Sequence, residues 1–191
     1  MSPAATTLPA AAAYTGHLTN GDPTKAAKSY KPTHPGKFEV QFRDGEYNSC
    51  LVALQDYQKG ETIAMMSHAS PSKSIRYSTV QVTENDHIEL NSDLLYCNHS
   101  CNPSVHFNVS SPDPSKWHAE ALRDIKQGDV LEFFYPSTEW DMSQPFDCSC
   151  GAGNKCLKRI SGAKYISPEV LNTYAINDHI KRLKANQQHD A

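Results

Sequence analysis

Cys148, Cys150 and Cys156 fall in one short, glycine-containing stretch of this 191-residue chain. One residue separates the first two, a spacing suited to a shared metal rather than a mutual disulfide. A tetrahedral zinc site built from thiolates takes four of them. Cys101, in Asn98-His99-Ser100-Cys101-Asn102-Pro103, is the natural fourth. Closing that set staples a late segment over an early one, so the staple would roof a pocket beside Asn98 and His99.

Composition bounds the rest. The hydrophobic fraction is 38% and the mean hydropathy is -0.60, which suits one compact domain with tails. No apolar run approaches the ~20 residues of a membrane span, so no membrane partner is expected. A net charge of -3 gives no global ground for direct nucleic-acid binding. Residues 1–36 are rich in Ala, Thr, Pro and Ser and read as a disordered leader. No positive charge precedes Lys25, which argues against a secretory signal and against an Arg-rich presequence. The expected compartment is intracellular, cytoplasm or nucleus. The six cysteines are then thiols rather than a disulfide framework. Cys50 and Cys97 are expected to be small buried apolar residues.

The middle of the chain reads as mostly β. Strands are predicted at 38–42, 49–54, 62–65, 77–82, 87–90, 105–109, 117–122 and 130–134, separated by turn pairs such as Asp44-Gly45, Lys59-Gly60 and Gln127-Gly128. One internal echo stands out. Ala53-Leu54, Asp56, Gly60-Glu61 and Ile63 recur at one offset as Ala121-Leu122, Asp124, Gly128-Asp129 and Leu131. Each copy reads as strand, glycine turn, strand, which predicts two equivalent β-corners. One helix is expected near the end, with Ser167 as N-cap, Pro168 at its first position and a stripe of Ile176, Ile180 and Leu183.

These motifs resemble the SET-domain family of S-adenosylmethionine-dependent protein-lysine methyltransferases. Asn98-His99-Ser100-Cys101-Asn102-Pro103 is similar to that family's Asn-His-Ser-Cys-x-Pro motif. Gly128-Asp129-Val130-Leu131-Glu132-Phe133-Phe134-Tyr135 is similar to its Gly-Glu-Glu-Leu-x-Phe-x-Tyr segment. The cysteine cluster is similar to its post-SET zinc tail, and the echo matches its two Asp-Ile-x-x-Gly-Glu turns. The resemblance implies a mostly β SET fold of small sheets with a knot-like crossing. It divides the chain into a leader at 1–36, a SET domain at 37–140, a post-SET zinc-binding segment at 141–163, and a C-terminal helix and tail at 164–191. It implies that Tyr135 is the catalytic tyrosine. Tyr96, Asn98, His99 and Ile160 would hold S-adenosylmethionine, the first two motif residues partly through backbone groups. Cys101, Cys148, Cys150 and Cys156 would bind structural zinc. The implied substrate is a lysine amine of a protein or peptide.

The chain departs from the family at one telling place. The family opens its donor site with Gly-x-Gly, where this chain reads Tyr47-Asn48-Ser49-Cys50. The segment between Met65 and His87, which helps select peptides in larger members, is short here. Two alternatives therefore stand beside protein-lysine methylation. One is a SET-fold enzyme repurposed for a donor-independent or small-molecule, biosynthetic reaction. The other is a catalytically silent SET-like binding module. Trp140 and Phe146 either wall the channel or pack in the core, and His68, His106 and His118 read as ordinary histidines.

Overall fold

The computed structural model describes residues 30–45 and 47–189. Its principal sheet is built from β1 (Phe38–Gln41), β2 (Cys50–Ala53), β3 (Thr62–Met65), β7 (Asn98–His99), β8 (Val105–Asn108), β9 (His118–Ala121) and β10 (Val130–Phe133). The path runs β1-β2-β10-β8-β9-β3, with β7 also paired to β10. A second sheet joins β4 (Ser70–Ser72), β5 (Thr79–Gln81) and β6 (His87–Glu89). A small antiparallel pair joins β11 (Phe146–Asp147) to β12 (Arg159–Ile160). The mostly β prediction holds. No helix among the described residues is long and apolar enough to cross a membrane.

Alternation explains the sheet faces. In β1, Phe38 and Val40 are buried while Glu39 and Gln41 are exposed, the period-2 pattern of a strand with one wet face. β2 is buried at all four positions because β1 and β10 flank it. The main core gathers Phe38, Leu51, Ile63, Leu94, Phe107, Ile125 and Leu131.

The sequence echo is a clasp. Tyr57 and Ile125 exchange both backbone hydrogen bonds at 2.9 Å. Gly60 N–H donates to the Ala121 carbonyl at 2.7 Å, and Gly128 N–H donates to the Ala53 carbonyl at 2.8 Å. Asp124 accepts from Lys59 N–H at 3.0 Å, and Asp56 accepts from Gln127 N–H at 2.9 Å. Gly60 (φ +84°) and Gly128 (φ +92°) occupy the same left-handed turn position. Each corner therefore caps the other through equivalent residues.

A crossing forms at β10. Residues 98–105 loop across it, with Glu132 paired to Asn98 and Phe133 paired to both His99 and Val105. A residue with two strand partners has one on each edge, so β10 runs between the arms of this loop. Ser100 N–H and Ser104 N–H bond the Phe133 and Glu132 carbonyls at 3.0 Å and complete the wrap.

The C-terminal region differs from expectation. The single predicted helix is two, α1 (Pro168–Leu171) and α2 (Asp178–His189). Ser167 caps the first as predicted, but Ile176 lies outside both. Asn177 causes the break. Its side chain accepts from Val109 N–H and Ser110 Oγ, and donates to the Phe107 and Ser137 carbonyls. Those four bonds anchor the buried residue against β8, and its carbonyl starts α2 by accepting from Lys181 N–H. A second core of Phe134, Ala163, Leu171, Ile176 and Ile180 fills the space between. At the other end, residues 1–29 of the expected leader lie outside the described residues. Residues 30–36 are anchored: Tyr30 packs edge-on to Phe42, and its hydroxyl donates to Asp93 at 2.7 Å.

Candidate active site and metal centre

Phe133, Phe134 and Tyr135 leave the crossing in three directions. Phe133 stacks on Phe107 in the main core at 4.1 Å. Phe134 stacks on Tyr174 in the second core at 3.8 Å. Tyr135, directly after these two anchored residues, is half-buried at the boundary. Its ring meets His99 at 5.2 Å and Phe146 at 6.0 Å. The backbone N–H of His99 faces its hydroxyl. Burial, with the nearby Cys97, Glu139 and Glu132, pushes this phenol well above its usual range. It is a neutral hydroxyl on a rigid mount.

Asn98 and His99 sit on the adjoining strand. Asn98 Nδ2 donates to the Ser49 carbonyl at 2.9 Å, tying the loop to the segment that lacks the family's glycine pair. Three side chains of that segment are occupied locally, while Tyr47 is exposed and edge-on to Tyr77. Asn48 bonds the Asp44 carbonyl, Ser49 Oγ accepts from Arg43 N–H, and Cys50 is buried in β2. Glu46 lies outside the described residues.

Both ring nitrogens of His99 are used by the protein. Nδ1 accepts from the Tyr135 backbone N–H at 3.2 Å. Nε2 stands 3.4 Å from Cys101 Sγ. Burial lowers the imidazole pKa to about 4, so the ring is neutral near pH 7. Any donor contact by His99 therefore runs through its backbone.

The four predicted cysteines converge. The sulfurs of Cys101, Cys148, Cys150 and Cys156 all lie within 4.8 Å of one another. Cys101 and Cys148 Sγ are 4.0 Å apart, close to the edge of about 3.8 Å expected for a tetrahedron with ~2.3 Å zinc–sulfur bonds. Backbone N–H groups of Cys101 and Leu157 point at the sulfurs of Cys150 and Cys101, both at 3.4 Å. Such donors stabilise thiolate over thiol. At Cys150 burial acts upward, but the N–H groups of Cys101 and Ala152 and the Cys148 and Cys101 thiols together bring it below its usual range, whereas burial pushes the Cys101 thiol up to about 11. The donor set fits zinc, and with four thiolates it leaves no open position for water. Cys50 and Cys97 are the buried pair expected.

The remaining predicted residues divide. Ile160 is fully buried and pairs with Phe146 across β11 and β12, inside the tail that covers His99. Tyr96 faces another group, edge-on to Phe42 at 5.7 Å, and burial raises its phenol to about 12. Phe146 lies 5.6 Å from His99 and walls the site, whereas Trp140 packs on the second core. A concavity of about 480 Å³ lies elsewhere, lined by His106, Asn108, Glu120, Tyr174, Asp178 and Lys181. None of the predicted site residues lines it. The chemistry-bearing groups meet instead at the crossing, where the tail closes over them.

Glu139 escaped the sequence reading. Its backbone N–H bonds the Tyr135 carbonyl at 3.0 Å, and its carboxylate accepts from Gln81 N–H at 2.9 Å. Burial raises its pKa to about 7. The available signal was one acid four residues after Tyr135 in an otherwise uncharged run from Phe133 to Trp140.

No family model matches the chain. Two crystal structures of KRYPTONITE are among its structural neighbours. One, in complex with mCHH DNA, H3(1-15) peptide and SAH, superposes with TM-score 0.46 and 18% identity. The other, with mCHG DNA and SAH, gives 0.44 and 19%. Each covers 64% of this chain and 29% of the solved one, so this chain spans under a third of their length. The methyltransferase flvH of Aspergillus flavus is 39% identical over 160 residues, covering 83% of this chain and 86% of flvH. By that identity and coverage, the chain belongs to the methyltransferase family of flvH.

Proposed function

We propose that this protein transfers a methyl group from S-adenosylmethionine to an amine on a SET scaffold, with Tyr135 at the point of transfer. The supporting observation is the Tyr135 hydroxyl. It is half-buried at a strand crossing, faced by the His99 backbone N–H and beside the His99 ring. The kinship with a methyltransferase supplies the reaction class.

The donor supplies an activated methyl on a sulfonium. The amine lone pair forms the new N–C bond as the C–S bond breaks, and the positive charge passes from sulfur to nitrogen. The chain's own task is alignment and exclusion of water. Asn98 and the backbone of His99 line the donor side. Tyr96 and Ile160 belong to that side in this reading. The Tyr135 oxygen orients the methyl and the amine. An amine with a reference pKa of ~10.4 must first lose a proton, so the rate should rise toward alkaline pH.

Zinc on Cys101, Cys148, Cys150 and Cys156 would be structural, ordering the tail at 141–163 over a transfer domain at 37–140, with 164–191 as the helical extension. None of the six cysteines is joined in a disulfide, which suits an intracellular, reducing compartment.

The amine is read first as a protein or peptide lysine. A second reading, an amine of a small biosynthetic molecule, is favoured by the compact sheet of β4, β5 and β6. That sheet occupies the short segment that is longer where peptides are selected. Retention of Tyr135 together with Asn98 and His99 speaks against a silent module.

The test is calorimetric titration of zinc-loaded protein with S-adenosylmethionine and S-adenosylhomocysteine. Labelled-methyl transfer to lysine peptides and to small primary and secondary amines would follow. Micromolar donor binding and transfer to one panel are expected. Folded, zinc-containing protein that binds neither donor nor product overturns methyl transfer. Transfer to small amines alone overturns the peptide reading.

A further inference from the structure

One face of the principal sheet plays no part in the transfer reading. In β8 and β9 the runs Val105-His106-Phe107-Asn108 and His118-Ala119-Glu120-Ala121 alternate apolar and polar residues. Their register sets His106 opposite Glu120 and Asn108 opposite His118. Opposed residues share a face. Phe107 and Ala119 therefore enter the core, while the four polar side chains turn together to the other side. His106, Asn108 and Glu120 form one wall of the concavity of about 480 Å³, and residues of 172–181 form the facing wall. That volume lies in the range of small-molecule sites.

The polar groups on this face are incompletely paired. His106 is only 6% exposed, lines the concavity, and hydrogen-bonds no residue among those described. Burial, with His118 and Lys181 nearby, lowers its pKa to about 4. It is a neutral ring with one donor and one acceptor nitrogen. His118 Nδ1 stands 2.7 Å from the Lys116 carbonyl. A carbonyl only accepts, so Nδ1 carries the ring proton. In the neutral ring Nε2 is then bare, and it faces Glu120 Oε2 at 3.6 Å. Two acceptors meet there with no proton between them. They are too far apart for a hydrogen bond of their own, but near enough to share one nitrogen donor at ~2.8 Å from each. Asp178 and Lys181 bond each other at 2.8 Å and cancel, so Glu120 leaves the concavity net negative.

We propose that this concavity is a second binding site, for a small primary amine that also carries hydroxyl groups, an amino alcohol or amino sugar. The ammonium, with three N–H donors, lies between Glu120 and His118 Nε2 and donates to both. Hydroxyls meet the His106 ring and the Asn108 amide. A hydroxyl donates and accepts, so it suits a neutral imidazole in either tautomer. A metal ion fits less well. Among the described residues only the four cysteines bring three or more His, Cys, Asp or Glu ligand atoms within 4.8 Å of one another. Tyr174 borders the concavity and stacks on Phe134, one residue from Tyr135, at 3.8 Å. The two sites adjoin, yet the second needs no methyl transfer and stands apart from that reading.

The test is NMR titration of the zinc-loaded full chain with ethanolamine and with glucosamine, read at the His106 and His118 rings. Choline carries the charge without N–H donors, and glycerol carries hydroxyls without the charge. Both amines should shift the two rings and saturate, while choline and glycerol bind at least about tenfold more weakly. Glu120→Gln keeps the shape and removes the charge. It should weaken amine binding by about tenfold or more, the scale of a charge-assisted hydrogen bond. His106→Leu should lose the preference for ethanolamine over propylamine. Zinc affinity should match the parent in both variants.

Choline binding as tightly as ethanolamine overturns the proposal, as does unchanged amine binding by Glu120→Gln. So does a His118 ring that holds two protons in the ligand-free protein near neutral pH, because Glu120 is then satisfied from within. Shifts confined to Asn98 and Tyr135 put the amine in the transfer site and also overturn it. If neither variant folds, the four ligands compared on the parent chain decide.

Discussion

The β-corner clasp and the cysteine tail do similar jobs by different means. Both join segments far apart in the chain. The clasp does so with reciprocal backbone bonds between 53–61 and 121–129, each corner satisfying the polar groups of the other. The tail has little of this. β11 and β12 are two residues each, and much of 143–159 is exposed. Its closure depends on four sulfurs within 4.8 Å of one another. A region that pairs its own backbone is stable by itself, whereas a region without a core waits for a ligand.

The largest expected contrast comes from metal removal. A strong chelator, or Cys156→Ser, should open 146–160 to protease and abolish donor binding. Amide exchange at Tyr57 and Ile125 should stay slow. Equal loosening of the clasp would show that the two regions form one cooperative unit.

Tyr135→Phe comes next. It should reduce the transfer rate by about a hundredfold or more, the scale of losing one oriented polar group at a transition state. Donor affinity should change less than a few-fold by calorimetry. A variant with full activity would remove the tyrosine from the chemistry and leave the crossing as architecture.

Glu139 sharpens the comparison through pH, because it ties the Tyr135 turn to β5. Burial raises its carboxyl from 4.5 to about 7, so the folded state holds that proton more tightly than the unfolded chain. Its stabilising contribution is full below about 4.5 and is lost as pH rises through about 7. Glu139→Gln keeps an acceptor for Gln81 N–H and removes the titration. Denaturant melts should show the variant more stable than the parent at pH 8, by roughly 1–3 kcal/mol, with no gain near pH 4.5. A constant difference across pH would locate the strain elsewhere.

The smallest effect belongs to the clasp. A methyl added at Gly128 would meet open space, but the backbone φ there is +92°, so Gly128→Ala should cost about 1 kcal/mol through conformation alone. Gly60→Ala, at φ +84° and equally open, should cost nearly the same. Zinc affinity should not move in either. Unequal costs would break the equivalence of the corners.

The strands, the paired corners and the four-cysteine cluster were legible because each depends on local chemistry: alternation, a glycine turn, a thiol. β4 was not, since Ser70-Pro71-Ser72 pairs only because Glu89, Ile88 and His87 lie opposite. β7 was hidden for the same reason, being two residues made strand by β10. The helix break was missed because its local signals, Asn172 after the first helix and Asn177 before the second, are weak beside the apolar stripe, and what fixes Asn177 is not local. Its partners Phe107, Val109, Ser110 and Ser137 are distant in sequence.

The sequence by itself determined the mostly β class and the clustered thiols, since those are carried by residue types at set spacings. Only the tertiary structure decided which groups meet. It passed β10 between the arms of 98–105, brought the Ser49 carbonyl to Asn98, and gave both nitrogens of His99 to protein partners. A side chain's hydrogen-bond capacity is written in its chemistry, but its partners are set by packing between segments distant in sequence.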